Sequence, residues 1–303
     1  MPLSDLVKLF FLAAVWGGSF IFLRIAAPEL GPLLTAMLRV GIASIALLAY
    51  AAITGVALEW RRNLKPYALV GLTAAALPFL CFSFAALHLP AAYSAVLNST
   101  APLFGAVLSV FWLSERLTAR KAIGLLLGIA GVAALVGAGA LPLNPQTLLA
   151  AAAALCAAAS YAVSAVIVQR LARRPDRHAI KPIAMATGSI AWGALLLSPV
   201  LPFALPESLP SNAALASVSA LALLSSALAQ ALFIPLIVRI GPTRAMSVSF
   251  MIPLFSMLWG TLFLAEAIQP AMLGGAALVL LAMALVLPAS PLRTAPGTRH
   301  NTY

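Results

Sequence analysis

Ala101-Pro-Leu-Phe-Gly-Ala-Val-Leu-Ser-Val-Phe-Trp-Leu-Ser-Glu115 decides the architecture, because its landmarks return half a chain later. Pro102-Leu-Phe104 recurs as Pro253-Leu-Phe255, Leu113-Ser-Glu115 as Leu264-Ala-Glu266, and Gly124 as Gly275, each displaced by 151 residues. A constant spacing that includes a proline and a rare glutamate is poorly explained by chance among apolar residues, and weak internal symmetry is a mark of transporter folds. The Leu89-Pro90 step is matched by Gly241-Pro242 at a spacing of 152.

Around that stretch the chain is 63% hydrophobic and only 8% charged, where a soluble domain carries roughly 25% charged residues. Too few charges remain to cover a soluble surface. A membrane-spanning helix needs about 20 apolar residues, so the intervals between charges predict the spans. Val40 to Leu58, Pro182 to Pro206, Ala245 to Ala265 and Ala267 to Leu292 each hold one. Pro66 to Ser114 divides into two at Leu89-Pro90, and Ala122 to Gln169 divides at Gly139-Ala-Leu-Pro-Leu-Asn-Pro145. Leu9 to Ala27 supplies the first span, and Ser208 to Val238 gives one after an opening polar turn. The prediction is an all-α polytopic membrane protein of ten transmembrane helices in two five-helix repeats, residues 1–140 and 141–288. Residues 289–303 are expected to form a disordered cytoplasmic tail. Because five is odd, the second repeat enters the membrane from the opposite face and the repeats are inverted.

The basic residues support this count, since cytoplasmic loops carry the excess of Lys and Arg. Sixteen of the eighteen fall on one side of the predicted membrane. The two exceptions, Arg24 and Arg39, lie within the first and second helices. Both termini are therefore expected in the cytoplasm, with the loop around Leu141 to Asn144 outside. The net charge of +11 is read as a topology signal and not as a nucleic-acid surface. Cys81 and Cys156 sit in apolar runs and imply neither a disulfide nor a metal framework. The first apolar stretch carries Arg24 and lacks a polar cleavage region, so it is expected to be a retained helix and not a signal peptide.

Leu89-Pro-Ala-Ala-Tyr-Ser-Ala-Val-Leu97, Ala101-Pro-Leu103 and Leu113-Ser-Glu-Arg-Leu117 together resemble the third-to-fifth helix pattern of the EamA-type drug/metabolite transporters. Ile240-Gly-Pro242, Ile252-Pro-Leu254 and Leu264-Ala-Glu266 repeat it, and Val15-Trp-Gly17 with Leu38-Arg39 resembles the family's opening. The resemblance runs from about residue 9 to about residue 288. By overall character the chain is most similar to the ten-helix bacterial exporters of the YddG kind. It thereby implies export of aromatic or large neutral amino acids, or of other amphipathic metabolites, across a bacterial inner membrane.

All seven carboxylates fall at helix ends, in loops or in the tail. An intramembrane proton relay thus has no obvious site, and uniport or exchange is expected in preference to obligatory proton antiport. Glu115 and Glu266 occupy mirrored helix ends, where each is expected to fix the following turn, with a gate as the alternative. Arg39, about one-third of the way into helix two from the outside, is expected to snorkel outward for structural pairing or headgroup contact, with contact to a substrate carboxylate as the alternative. Arg24 is expected to anchor at the interface.

Proline inside a helix removes one backbone hydrogen bond and frees the carbonyl four residues earlier. In membranes such groups are tolerated where protein or a water-filled cavity satisfies them. Pro102 frees Asn98 and Pro253 frees Ser249, so two mirrored helices are expected to break beside a polar side chain near the midplane. The predicted substrate site lies there. Trp16, Ser19 and Phe20 would join it from helix one and Phe79 and Phe82 from helix three. Tyr161 and Ser164 come from helix six, Gln230 and Phe233 from helix eight, and Phe250 from helix nine. Mostly apolar walls with a few placed polar groups suit a small ligand.

A membrane enzyme would need a nucleophile–base pair or metal ligands, but the three histidines lie at a helix end, in a loop and in the tail. A receptor would not require inverted duplication. No catalytic residue, metal or cofactor is expected, and the partners are a small-molecule substrate and the lipid bilayer. Ten helices suffice to enclose a site in one chain, while the oligomeric state is not legible.

Overall fold

The computed structural model describes residues 2–113, 118–137, 144–172, 180–206, 208–240 and 248–286. Among them every regular element is helical. Helix α1 spans Leu3–Ile53 as two arms joined at Gly31, whose φ of 72° lies in the region that favours glycine. Pro28 and Pro32 flank that joint. The second span therefore begins soon after Gly31 and has ended by Leu58, not Val40 to Leu58 as charge-free runs predict. Arg39, used as a boundary in the sequence, lies inside it.

α2 (Trp60–Gly71) passes through a π-helical turn, Leu72–Ala76, into α3 (Leu77–Ala85). The next span is split into α4 (Ala91–Asn98) and α5 (Ala101–Leu113), and is followed by α6 (Ala119–Gly137). The second half begins with α7 (Pro145–Ala172) and α8 (Pro182–Leu197), the latter ending in a 3₁₀ segment, Ser198–Phe203, where Pro199 and Pro202 preclude further α-helix. α9 (Asn212–Ala220) runs through a second π-helical turn, Leu221–Leu228, into α10 (Ala229–Ile240). α11 (Val248–Leu264) and α12 (Pro270–Val286) complete the described helices. With α1 counted as two arms and the interrupted helices as one each, these elements are consistent with ten spans.

The inverted symmetry has a physical signature where α6 meets α12. A Cβ added at Gly124 would stand 2.7 Å from Val286 Cγ2 and 3.0 Å from the Ala282 carbonyl. One added at Gly275 would stand 2.9 Å from Leu135 Cβ and 3.0 Å from the Gly131 carbonyl. Residues 124, 131 and 135 become 275, 282 and 286 under the 151-residue repeat, so this contact is self-complementary about a local twofold axis. Small residues let the two backbones approach closely, as membrane helices require.

The two π-helical turns occupy corresponding helices of the halves. Each accepts a hydrogen bond from the first helix of the opposite half: Trp16 Nε1 donates to the Ser225 carbonyl at 3.0 Å, and Ser160 Oγ to the Thr73 carbonyl at 2.8 Å. Outside this packed centre, large apolar side chains such as Ile45, Phe111, Leu126, Ile129 and Phe263 are more than half exposed, forming surfaces suited to lipid.

Candidate substrate site

A cavity of about 790 Å³ lies between the halves, within the size range of small-molecule sites. Its central wall is organised by the second π-helical turn. Ser225 receives Trp16 on its carbonyl and donates its own hydroxyl to the Val15 carbonyl at 3.3 Å. Ser226, the next residue, accepts from Arg39 Nε at 3.1 Å while its hydroxyl reaches back to the Leu221 carbonyl at 3.1 Å. One turn thus fixes both an indole and a guanidinium. π-bulges are frequent at functional sites because they free groups that a regular helix would occupy.

Arg39 does not snorkel outward. It is 6% exposed, and its Cζ stands 3.8 Å from the centre of the Phe79 ring. Aromatic rings surround this pair. Trp16 meets Phe233 edge-on at 5.0 Å, Phe20 meets Phe82 edge-on at 5.4 Å, and Phe82 stacks on Tyr161 at 6.3 Å. Ser19 lines the cavity but uses its hydroxyl locally, donating to the Trp16 carbonyl at 2.6 Å.

The break beside Pro102 separates α4 from α5 and faces the cavity. Two side chains satisfy carbonyls at this interruption: Ser99 Oγ bonds the Ala95 oxygen at 3.0 Å and Thr100 Oγ1 the Leu97 oxygen at 2.6 Å. Asn98 Oδ1 is buried without a hydrogen-bond partner among the described residues. The mirrored helix behaves differently. α11 is continuous through Pro253. Ser249 nevertheless lines the cavity, whereas Pro253 does not.

The structure therefore gathers Trp16, Ser19, Phe20, Phe79, Phe82, Asn98, Pro102, Tyr161, Gln230, Phe233 and Ser249 around one space, with Arg39 added to them. Ser164 is buried but does not line it, and Phe250 packs against the main apolar core. Ser225 and Ser226 were not anticipated. Their signal was present as a polar pair inside an otherwise apolar helix, and its meaning depended on the π-helical geometry.

Lengthwise, the cavity extends past Gly105 and Ala106 to Lys121 and Val286. The opposite end is tied together by side chains. Ala265 adopts φ 51° and turns the chain so that Glu266 N–H meets the Gly260 carbonyl at 3.1 Å. The Glu266 carboxylate then accepts the N–H of Ala91, at the start of α4, at 3.0 and 3.1 Å. Arg24 Nε lies 3.4 Å from it, and Arg24 Nη1 donates to the Ala86 carbonyl, just past α3, at 2.7 Å. Glu266 thus caps another helix as well as closing its own turn, and Arg24 joins three helix ends in place of a plain interfacial anchor. Its mirror partner Glu115 lies outside the described residues.

Nearby, Glu29 accepts from Ser211 N–H at 2.7 Å and Ser211 Oγ at 2.8 Å. These bonds, backbone first, hold its carboxyl below the ordinary value of 4.5. Among the described residues no three His, Cys, Asp or Glu side chains cluster as metal ligands would.

The comparisons agree with a transport architecture. A solved crystal structure of a protein 22% identical in sequence matches with a TM-score of 0.64, covering 94% of this chain and 96% of that one, so the two share a fold. The chain is 29% identical to "Uncharacterized inner membrane transporter YedA" of Escherichia coli (strain K12), across 84% of this chain and 80% of that protein. It is 27% identical to "Probable amino-acid metabolite efflux pump" of Salmonella typhimurium (strain LT2), across 88% and 89% respectively. The family model of the EamA-like transporters matches residues 6–137 and 148–287, one segment in each half, and the chain belongs to that family.

Proposed function

We propose that the chain exports amino acids, aromatic or large neutral, or related small metabolites from the cytoplasm by alternating access. The observation that carries this reading is the polarity of the cavity: it reaches the helix ends around Lys121 and stops beneath the Arg24–Glu266–Ala91 tie. In an inverted repeat, closing one end and opening the other re-presents the same central site to the opposite compartment. The bias of basic residues supports a cytoplasmic Lys121 end and cytoplasmic termini, and in that orientation this form loads from inside. The name of the Salmonella relative supports an amino-acid-derived cargo.

Transport proceeds as uniport or exchange, because the described cavity lining contains no carboxylate to carry a proton. Purified protein in liposomes, loaded with one amino acid and offered a labelled one outside, should show counterflow with no pH difference. An absolute requirement for an imposed proton gradient would refute uniport or exchange. For orientation, Leu209 is 97% exposed at the tied end. Leu209→Cys should react with an impermeant thiol reagent in intact cells, and reaction only after permeabilisation would overturn the topology.

A further inference from the structure

Arg39 is held inside the cavity by Ser226 and Phe79, and no carboxylate among the described residues pairs with it. Its Nε is used by Ser226. The two terminal nitrogens make no hydrogen bond to described protein groups and are not sealed off, so the outer fork of the guanidinium faces the cavity. A guanidinium fork matches a carboxylate with two parallel hydrogen bonds. A buried, unpaired charge in a membrane protein is expensive unless an ion or water meets it.

The complementary feature is missing. No Asp or Glu lines the described cavity, so an ammonium group has no anion to meet. Only neutral acceptors are offered to it on the lining, among them the side chains of Tyr161, Gln230 and Ser249, while Asn98 Oδ1 is buried away from the space.

We propose that Arg39 is the anion subsite of the transport cavity, and that the substrate class it selects is aromatic monocarboxylates in which the α-amino group is dispensable. This rests on the export reading above and deepens it. The carboxylate docks on Arg39 and the ring lies among Phe20, Phe82, Tyr161 and Trp16. A substituent at the α-carbon meets only neutral polar groups of the lining, such as Gln230 and Ser249, where hydroxyl, carbonyl, acylamino or ammonium are all accommodated. A charge-assisted contact contributes about ten- to a hundred-fold in affinity, and one neutral hydrogen bond about two- to ten-fold. The carboxylate therefore dominates selection.

The test is counterflow and equilibrium binding in proteoliposomes with phenylalanine, N-acetylphenylalanine, 3-phenyllactate and phenethylamine. Phenyllactate and N-acetylphenylalanine should exchange within about ten-fold of phenylalanine, while phenethylamine should not exchange. Arg39→Gln should weaken binding of all three carboxylates by about ten-fold or more, and Arg39→Lys should restore part of it. Should Arg39→Gln fail to insert, the wild-type selectivity order still decides the matter. Phenethylamine carried as well as phenylalanine, or the deaminated and acylated acids rejected, would overturn the anion subsite and leave export standing. An Arg39→Gln protein that binds every carboxylate as the wild type does would have the same effect. No counterflow of any amino acid or related metabolite would overturn export itself, and this assignment with it.

Discussion

Replacing Glu266 by Ala should release the end of the cavity that is closed here. The tie consists of one N–H of α4 shared between both carboxylate oxygens, at 3.0 and 3.1 Å, and an ion pair to Arg24 at 3.4 Å. The shared N–H counts as one charge-assisted hydrogen bond, contributing about 1.5–3 kcal/mol. The ion pair is partly exposed, with side chains 32% and 15% accessible, so solvent screening limits it to about 1 kcal/mol or less. Together the closed end is favoured by about 1.5–4 kcal/mol, and these contacts cannot survive separation of α4 from the α11 end. Removing them should raise the open population by about ten-fold at least and by up to about 900-fold. Glu266→Gln keeps a neutral acceptor and should give an intermediate increase. The assay places Ser19→Cys in the cavity of a protein lacking Cys81 and Cys156, and measures labelling by an impermeant maleimide from the tied side. An unchanged labelling rate in Glu266→Ala, with normal expression, would refute the gating role of this tie.

Three further outcomes are expected. Gly31→Ala meets no neighbouring atom within 4 Å, yet must adopt φ 72°; the strain of about 1–2 kcal/mol should lower the thermal midpoint in detergent, and an unchanged midpoint would show that the joint relaxes. Gly275→Ala drives a Cβ to 2.9 Å from Leu135 Cβ and 3.0 Å from the Gly131 carbonyl; overpacking of about 1–3 kcal/mol should also lower the midpoint, whereas Gly274→Ala, with open space around it, serves as the matched control. Glu29 has its carboxyl depressed by Ser211, so its contribution is complete above the ordinary value of 4.5 and is lost as pH falls through the depressed one. The difference in thermal midpoint between wild type and Glu29→Gln should therefore shrink on acidification below about pH 4.5, and a constant difference would exclude this carboxyl as its source.

The helical class and the repeat were legible because both rest on local or strictly periodic signals: apolar length, turn-forming prolines and a constant 151-residue spacing. Gly124 and Gly275 could be paired by arithmetic alone, and the structure places their two contacts at corresponding positions. Arg39 was located but its direction was misjudged. A long basic side chain one-third of the way into a span can reach the interface, and only the placement of Ser226 and Phe79 shows that it turns inward. Pro253 illustrates the opposite limit. Its spacing from Ser249 matches that of Pro102 from Asn98, yet α11 runs on through Pro253 where the span beside Pro102 is split, so the motif alone does not dictate a break. The Arg24–Glu266–Ala91 tie joins residues far apart in sequence, so no periodicity could announce it. The π-helical turns were likewise hidden, since no composition rule distinguishes Leu-Ala-Leu-Leu-Ser-Ser from ordinary helix.

The hydrogen bonds that cross between the halves have a consequence for biosynthesis. Trp16 emerges from the ribosome 209 residues before the Ser225 carbonyl that will receive it, a delay of about 10–40 s at ordinary elongation rates. The Gly124 face of α6 likewise waits, with nothing to pack against, through the 151 residues that separate it from Gly275. Because that face and its eventual partner are related by the local twofold, a nascent first half presents to other nascent first halves a surface close in shape to the one they await. Insertion in the opposite sense is needed to dock it, so co-oriented neighbours on a polysome cannot satisfy it. The inverted orientation thus protects a duplicated sequence from pairing with its own copies while it is being made.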